Sequence, residues 1–263
     1  MMIRAATFVS ALAAAGPALA GEIACWRDQG VLVAAASVAE VAGDFIIDTG
    51  APVSQLHNTR AQSAGLEGEQ VQGAVRLAGL QAPQVPLAVV DLDARTRTFP
   101  TPIAGVIGAD VLRDYVLEVT PGDCRLSLSP GGRRAPSPGA VSLPLVWRDG
   151  APAIPAAISD GPRARTVSLT PATGLDAPLR LSARLAAVPG GEAASLAPYG
   201  GGRAELRALS LGGEIFERLP AGLTDETVAV DGAVGLSVLG RWRLRFDFPA
   251  GRLDLIAPLS TFR

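Results

Sequence analysis

Lysine is missing from the chain: all 23 basic residues are arginine. That removes a P-loop lysine and any Schiff-base nucleophile. Histidine occurs once, as His57, and cysteine twice, as Cys25 and Cys124. One imidazole and two thiols cannot assemble a zinc site of the usual Cys/His ligand set, so neither a metal nor a cofactor is expected. His57 would also have to serve any Ser-His-Asp triad, yet no Gly-x-Ser-x-Gly elbow exists. The nearest stretch, Gly235-Leu236-Ser237-Val238-Leu239, ends on leucine. His57 is therefore expected to be a surface or strand-end residue. Charged residues make up only 18% of the chain and the net charge is −2. That balance leaves no basic footprint for nucleic acid and no polybasic membrane patch.

What is present points first to a compartment. Met1-Met2-Ile3-Arg4 is a short basic start, an apolar stretch follows from Ala5, and Ala18-Leu19-Ala20 ends it. This is the layout of a secretory leader, residues 1–20, cleaved after Ala20. Gly16-Pro17 interrupts the run, and no later stretch is apolar over enough residues to span a bilayer. The expected product is exported, periplasmic or secreted, without stable membrane insertion. In that compartment Cys25 and Cys124 are expected to form a disulfide rather than remain two buried thiols. The bridge would close a loop of about 100 residues, worth at most ~4–5 kcal/mol in the chain-entropy model.

Thirty glycines and 21 prolines punctuate short runs rich in valine and leucine, the pattern of an all-β chain. One run ends on chemistry. Gly43-Asp44-Phe45-Ile46-Ile47 leads straight into Asp48-Thr49-Gly50-Ala51, placing a carboxyl at the end of a buried strand. Gly50 allows the chain to turn back, and the Thr49 hydroxyl can pin the turn. A second apolar run ending in glycine follows, Gly105-Val106-Ile107-Gly108, continuing into Ala109-Asp110-Val111-Leu112. A hairpin closes this half: Tyr115 to Val119, a turn at Pro121-Gly122-Asp123, then Arg125 to Leu128.

Together these motifs resemble the pepsin and retropepsin class of aspartic peptidases. The resemblance implies that Val106-Ile107-Gly108 crosses the Asp-Thr-Gly loop and that a short helix spans Ala109 to Asp114. The chain then repeats itself in order. Asp48-Thr49-Gly50 is echoed by Ala172-Thr173-Gly174, and Gly105 to Gly108 by Gly232-Ala233-Val234-Gly235. The hairpin returns as Trp242 to Asp247 and Arg252 to Leu255. A linker rich in glycine and proline, residues 130–139, separates the copies. The expected fold is all-β and bilobal: two homologous β-barrel lobes, residues 21–129 and 140–263, with a cleft between them. An extended peptide or protein substrate is the implied partner. The chain could act alone or as a homodimer.

The resemblance also implies a mechanism. Two carboxyl groups share one proton across the lobe interface, one acting on a water and the other as acid. Asp48 supplies the first; Ala172 stands at the second position, while Thr173 and Gly174 keep the turn. Pro171, just before Ala172, reads as a further departure. Three readings follow. The chain is a pseudo-peptidase that binds peptides with little hydrolysis. It is an active aspartic endopeptidase completed by Asp231, or by a second chain. Or it is a non-catalytic envelope protein that binds a partner. Asp176 is too far along the next strand to replace the lost acid. Relatives cover the cleft with a hairpin; the candidates are Gly68 to Leu77 in the first lobe and Ala194 to Leu206 in the second.

Overall fold

Among the residues described by the computed structural model, short valine- and leucine-rich runs between turns become twenty strands, four short α-helices and one 3₁₀ turn, Ala183–Leu185. The structure describes residues 21–120, 122–131, 135–161, 163–185, 197–198, 203–224 and 229–257. The expected leader, 1–20, lies outside the described residues. The first half contains β1 (Gly21–Asp28), β2 (Val31–Val38), β3 (Val41–Ile47), β4 (Gln55–His57), α1 (Asn58–Ser63), β5 (Gln70–Leu77) and β6 (Leu80–Val90). It continues with α2 (Asp93–Thr96), β7 (Ile103–Ile107), α3 (Ala109–Leu112), β8 (Tyr115–Thr120) and β9 (Arg125–Pro130). Helix α3 ends two residues short of the Asp114 expected from the resemblance.

Six of these strands close into a barrel in the order β2-β3-β7-β4-β6-β5. Strand β5 pairs back onto β2 through Ser37↔Arg76 and Val38↔Val75. The second half follows the same plan. Its elements are β10 (Val141–Pro144), β11 (Val146–Arg148), β12 (Ala151–Ser159), β13 (Arg165–Pro171), β14 (Leu179–Ser182) and β15 (Ala197–Pro198). Then come β16 (Arg203–Leu211), β17 (Glu214–Thr224), β18 (Gly232–Val234), α4 (Leu236–Leu239), β19 (Arg243–Asp247) and β20 (Arg252–Ile256). The barrel order is β12-β13-β18-β14-β17-β16, with β16 pairing back onto β12. In each barrel one strand runs parallel to the crossing strand: β3 to β7, and β13 to β18. The all-β, two-barrel expectation is met.

The halves also share a sheet, β10-β20-β19-β8-β9-β1, whose central pair joins the two halves through Leu244↔Val119 and Phe246↔Leu117. Arg245, Asp247 and Asp254 are buried in it, at 4%, 0% and 0% exposure. Charges so placed must be paired. Arg252 reaches Asp247 at 3.1 Å and Asp254 at 2.9 Å, and Ser142 Oγ donates to Asp254 at 2.6 Å. The 130–139 segment is tied to the same sheet, because Arg245 donates to the Ala135 carbonyl at 3.2 Å.

Cys25 and Cys124 form the expected disulfide, linking β1 to the turn before β9. The Cys25 N–H also donates to the Cys124 carbonyl at 3.0 Å. The bridge closes a separation of 99 residues. The paired Cys25→Ala, Cys124→Ala variant should lose about 2–4 kcal/mol of unfolding free energy, read from urea unfolding with midpoint and slope fitted together, since loss of the cross-link also expands the unfolded chain. An unfolding free energy equal to wild type would show the bridge to be energetically silent.

Candidate active site

The site starts from strand burial. Phe45, Ile46 and Ile47 are all fully buried, without the alternation of a half-exposed strand, because both faces of β3 are covered. Phe45 and Ile47 point into the barrel core. Ile46 faces outward, where Val31, Val33, Val106, Leu92 and Phe99 pack over it. Strand β7 lies alongside in parallel register, Ile46↔Val106 and Ile47↔Ile107. Gly105 is required there, since a Cβ would sit 2.2 Å from the Gln55 carbonyl oxygen. The Asp48 N–H continues the ladder to the Ile107 carbonyl at 2.9 Å, and the turn closes with Ala51 N–H to Asp48 carbonyl at 3.2 Å.

The two Thr-Gly turns interlock. The Thr49 N–H donates to Thr173 Oγ1 at 3.1 Å, and the Thr173 N–H to Thr49 Oγ1 at 3.2 Å. Each hydroxyl then donates across to the other loop's strand, Thr49 to the Pro171 carbonyl and Thr173 to the Ile47 carbonyl. Both threonines are fully buried. Pro171 does not break its strand: its carbonyl is the acceptor the Thr49 hydroxyl needs, and the ladder resumes with Ala172 N–H on Val234.

The glycines map one loop onto the other. A Cβ on Gly174 would sit 2.3 Å from the Asp48 carboxyl carbon, and one on Gly50 would sit 2.6 Å from the Ala172 methyl. Asp48 and Ala172 therefore occupy mirrored places: a carboxyl on one side of the interface faces a methyl on the other. Asp48 is 6% exposed. Its Oδ1 accepts the Gly50 N–H at 2.9 Å and the Gly174 N–H at 3.2 Å. Its Oδ2 accepts Arg95 Nη2 at 2.8 Å.

Arg95 is the residue that sequence reasoning missed. It lies on α2, 47 positions from Asp48, and no spacing singles it out among 23 arginines. Its place is set by its neighbours, since Leu92 and Phe99 dock on the outer face of β3 and β7 and hold α2 there. The same Nη2 also donates to the Gly174 carbonyl at 2.9 Å, so the guanidinium joins the first lobe's acid to the second lobe's turn.

Around this pair lies a cleft of about 600 Å³ lined from both lobes, by Val31, Asp48, Arg95 and Phe99 on one side and Leu175 and Gly232 on the other. Asp176 also lines it, 3.8 Å from Arg180. Asp231 is placed elsewhere. Its Oδ2 accepts the Ser168 N–H at 2.9 Å, its Oδ1 accepts Arg184 at 2.7 Å, and it is not among the residues lining the cleft. Gly68 to Leu77 forms no lid: 70–77 is the barrel strand β5, and none of its residues reaches the cleft. In the second lobe, β15 and β16 pair through Ala197↔Glu205, while the rest of the expected hairpin, 194–196 and 199–202, lies outside the described residues. His57 is at a strand end, as expected, but it is buried.

The architecture has a counterpart among solved structures. The crystal structure of an aspartic proteinase from Irpex lacteus superposes with a TM-score of 0.54 at 15% identity, covering 92% of this chain and 98% of that one. The two share a fold. No protein-family model matches the sequence, and no curated protein matches it.

The Asp48–Arg95 pair should be strongly coupled. In a double-mutant cycle of Asp48→Asn and Arg95→Gln, the coupling in unfolding free energy should be about 1–3 kcal/mol. Additive effects would mean that the guanidinium does not engage the carboxylate in solution.

Proposed function

We propose that this chain is an exported peptide-binding protein built on the aspartic-peptidase fold, in which hydrolysis is weak or lost. The observation that carries the reading is the pairing of Asp48 with Arg95 opposite Ala172. General-base attack needs a lone pair free to receive a proton from water, and a second group to supply one. A carboxylate offers about four acceptor positions. Three N–H donors, from Gly50, Gly174 and Arg95, already address the two oxygens of Asp48, leaving about one position for a water. The mirrored place offers a methyl group, which can neither donate nor accept a proton.

Completion by Asp231 gains no support, because that carboxylate is committed to Arg184 and the Ser168 amide. Completion by a second copy gains none either, since Thr173 of the same chain already fills the grip on Thr49. What remains is the cleft of about 600 Å³, lined from both lobes and within the size range of ligand-binding clefts. Two further features favour export: the leader-like residues 1–20 and the disulfide. No helix among the described residues is long and apolar enough to cross a membrane.

The test is a digest of a peptide mixture by the purified protein, with binding of the same peptides followed by calorimetry. Saturable binding without cleavage is expected from the wild type. Efficient cleavage that disappears in Asp48→Asn overturns the reading, and so does the absence of any peptide binding. The double variant Ala172→Asp, Arg95→Gln restores the second acid and frees the first. It should cleave at least ~10²-fold faster than wild type, the lower end of what one positioned acid–base group supplies.

A further inference from the structure

We infer that Thr170 sets which ligand side chain the cleft accepts: one with an apolar body and a hydroxyl tip, the phenol of tyrosine. The inference deepens the peptide-binding reading and takes its ligand class from it. Its origin is a comparison of one position across the two barrels. Ile46 and Thr170 are as far apart as Thr49 and Thr173, 124 residues. Each lies two residues before a mirrored tip, Asp48 or Ala172. Each also pairs with its crossing strand in parallel register, Ile46↔Val106 and Thr170↔Ala233.

The first barrel closes over its pair: Ile46 and Val106 are fully buried against Leu92 and Phe99. The second barrel puts a smaller residue at both places. Thr170 and Ala233 line the cleft, and Ala233 is only half-buried. Thr170 itself is 6% exposed. Its hydroxyl makes no hydrogen bond with any described residue, yet Oγ1 is not sealed inside the protein, so it meets the cleft. The methyl faces the first lobe's turn, since a Cβ on Gly50 would lie 3.1 Å from Thr170 Cγ2.

A hydroxyl this buried is costly to leave without a partner, so a ligand that covers it must return a hydrogen bond. That requirement discriminates among side chains. Ala172, Leu175 and Val230 add apolar surface to the second lobe's lining, which favours a large apolar body. The charged residues on this side, Asp176 and Arg180, are exposed and lie 3.8 Å from each other. A charged tip would lose its hydration against a neutral hydroxyl. A phenol both donates and accepts, as the threonine hydroxyl does, and a buried tyrosine O–H needs such a partner. Phenylalanine would bury the same ring and leave Thr170 unpaired, the basis on which a hydroxyl-reading site rejects the analogue without one.

The test titrates N-acetyltyrosinamide and N-acetylphenylalaninamide into the protein with its disulfide intact, with binding followed by ligand-observed NMR. The tyrosine amide should bind about tenfold tighter than the phenylalanine amide. Thr170→Val, close in shape, should erase that preference, and Thr170→Ser, which keeps the hydroxyl, should retain it. Thr170→Ile combined with Ala233→Val rebuilds the first barrel's pair and should weaken both amides at least tenfold by filling the space. Equal affinities in the wild type, a tyrosine preference that survives Thr170→Val, or no saturable binding of either amide overturns the inference. If Thr170→Val fails to fold, the wild-type ratio and the double variant decide. Single-residue amides let the two readings fail separately. Extended peptides that bind without regard to tyrosine defeat the role of Thr170 alone; tyrosine-selective amide binding without peptide binding defeats only the peptide-binding reading.

Discussion

The interlocked threonines are the constraint from which the rest of the molecule takes its geometry. Four hydrogen bonds made by two fully buried threonines tie the ends of β3 and β13 to one another. In a water-free interface an unmade bond of this kind leaves a buried donor without a partner, so neither turn can drift without a large penalty. The strand ends are thereby fixed face to face, and whatever residues stand at their tips must meet. That is why Gly50 abuts Ala172 and Gly174 abuts Asp48, and why both positions are glycine.

Fixed tips turn a change of one residue into a change of chemistry rather than of shape. With a methyl at position 172, the two turns stay interlocked while the place that mirrors Asp48 holds no group able to give or take a proton. Asp48 is left nearly buried, and a buried carboxylate needs compensation. Two amides and a guanidinium provide it. The arginine lies within reach because two apolar anchors, Leu92 and Phe99, seat its helix on the outer face of the barrel strands. Packing outside the first barrel therefore governs the electrostatics of the interface between the two.

Much of this was legible in the residues. The Asp-Thr-Gly and Thr-Gly turns, the glycine-ended crossing strands and the closing hairpins recur in order, and each has a local cause that survives without knowledge of long-range contacts. With only two cysteines in the chain, each had a single possible partner, and the pair forms. What was hidden depended on distance in sequence. Arg95 meets Asp48 only after β5, β6 and α2 have been placed, and Asp93 meets His57 across the same span. The expected lid failed because 70–77 has the alternation that a barrel wall also requires, so the pattern could not separate the two roles. Pro171 misled in the opposite way: a residue that cannot donate to a ladder looked disruptive, yet its position calls only for an acceptor.

The shared sheet at the base carries an evolutionary corollary. The halves belong to one polypeptide and pair through β8 and β19, so the two apices are encoded by separate codons. A homodimer with the same geometry cannot lose one acid without losing its twin, because every substitution appears in both places. Here the two sides are free to diverge: one can keep an acid and recruit an arginine to it while the other becomes an inert wall.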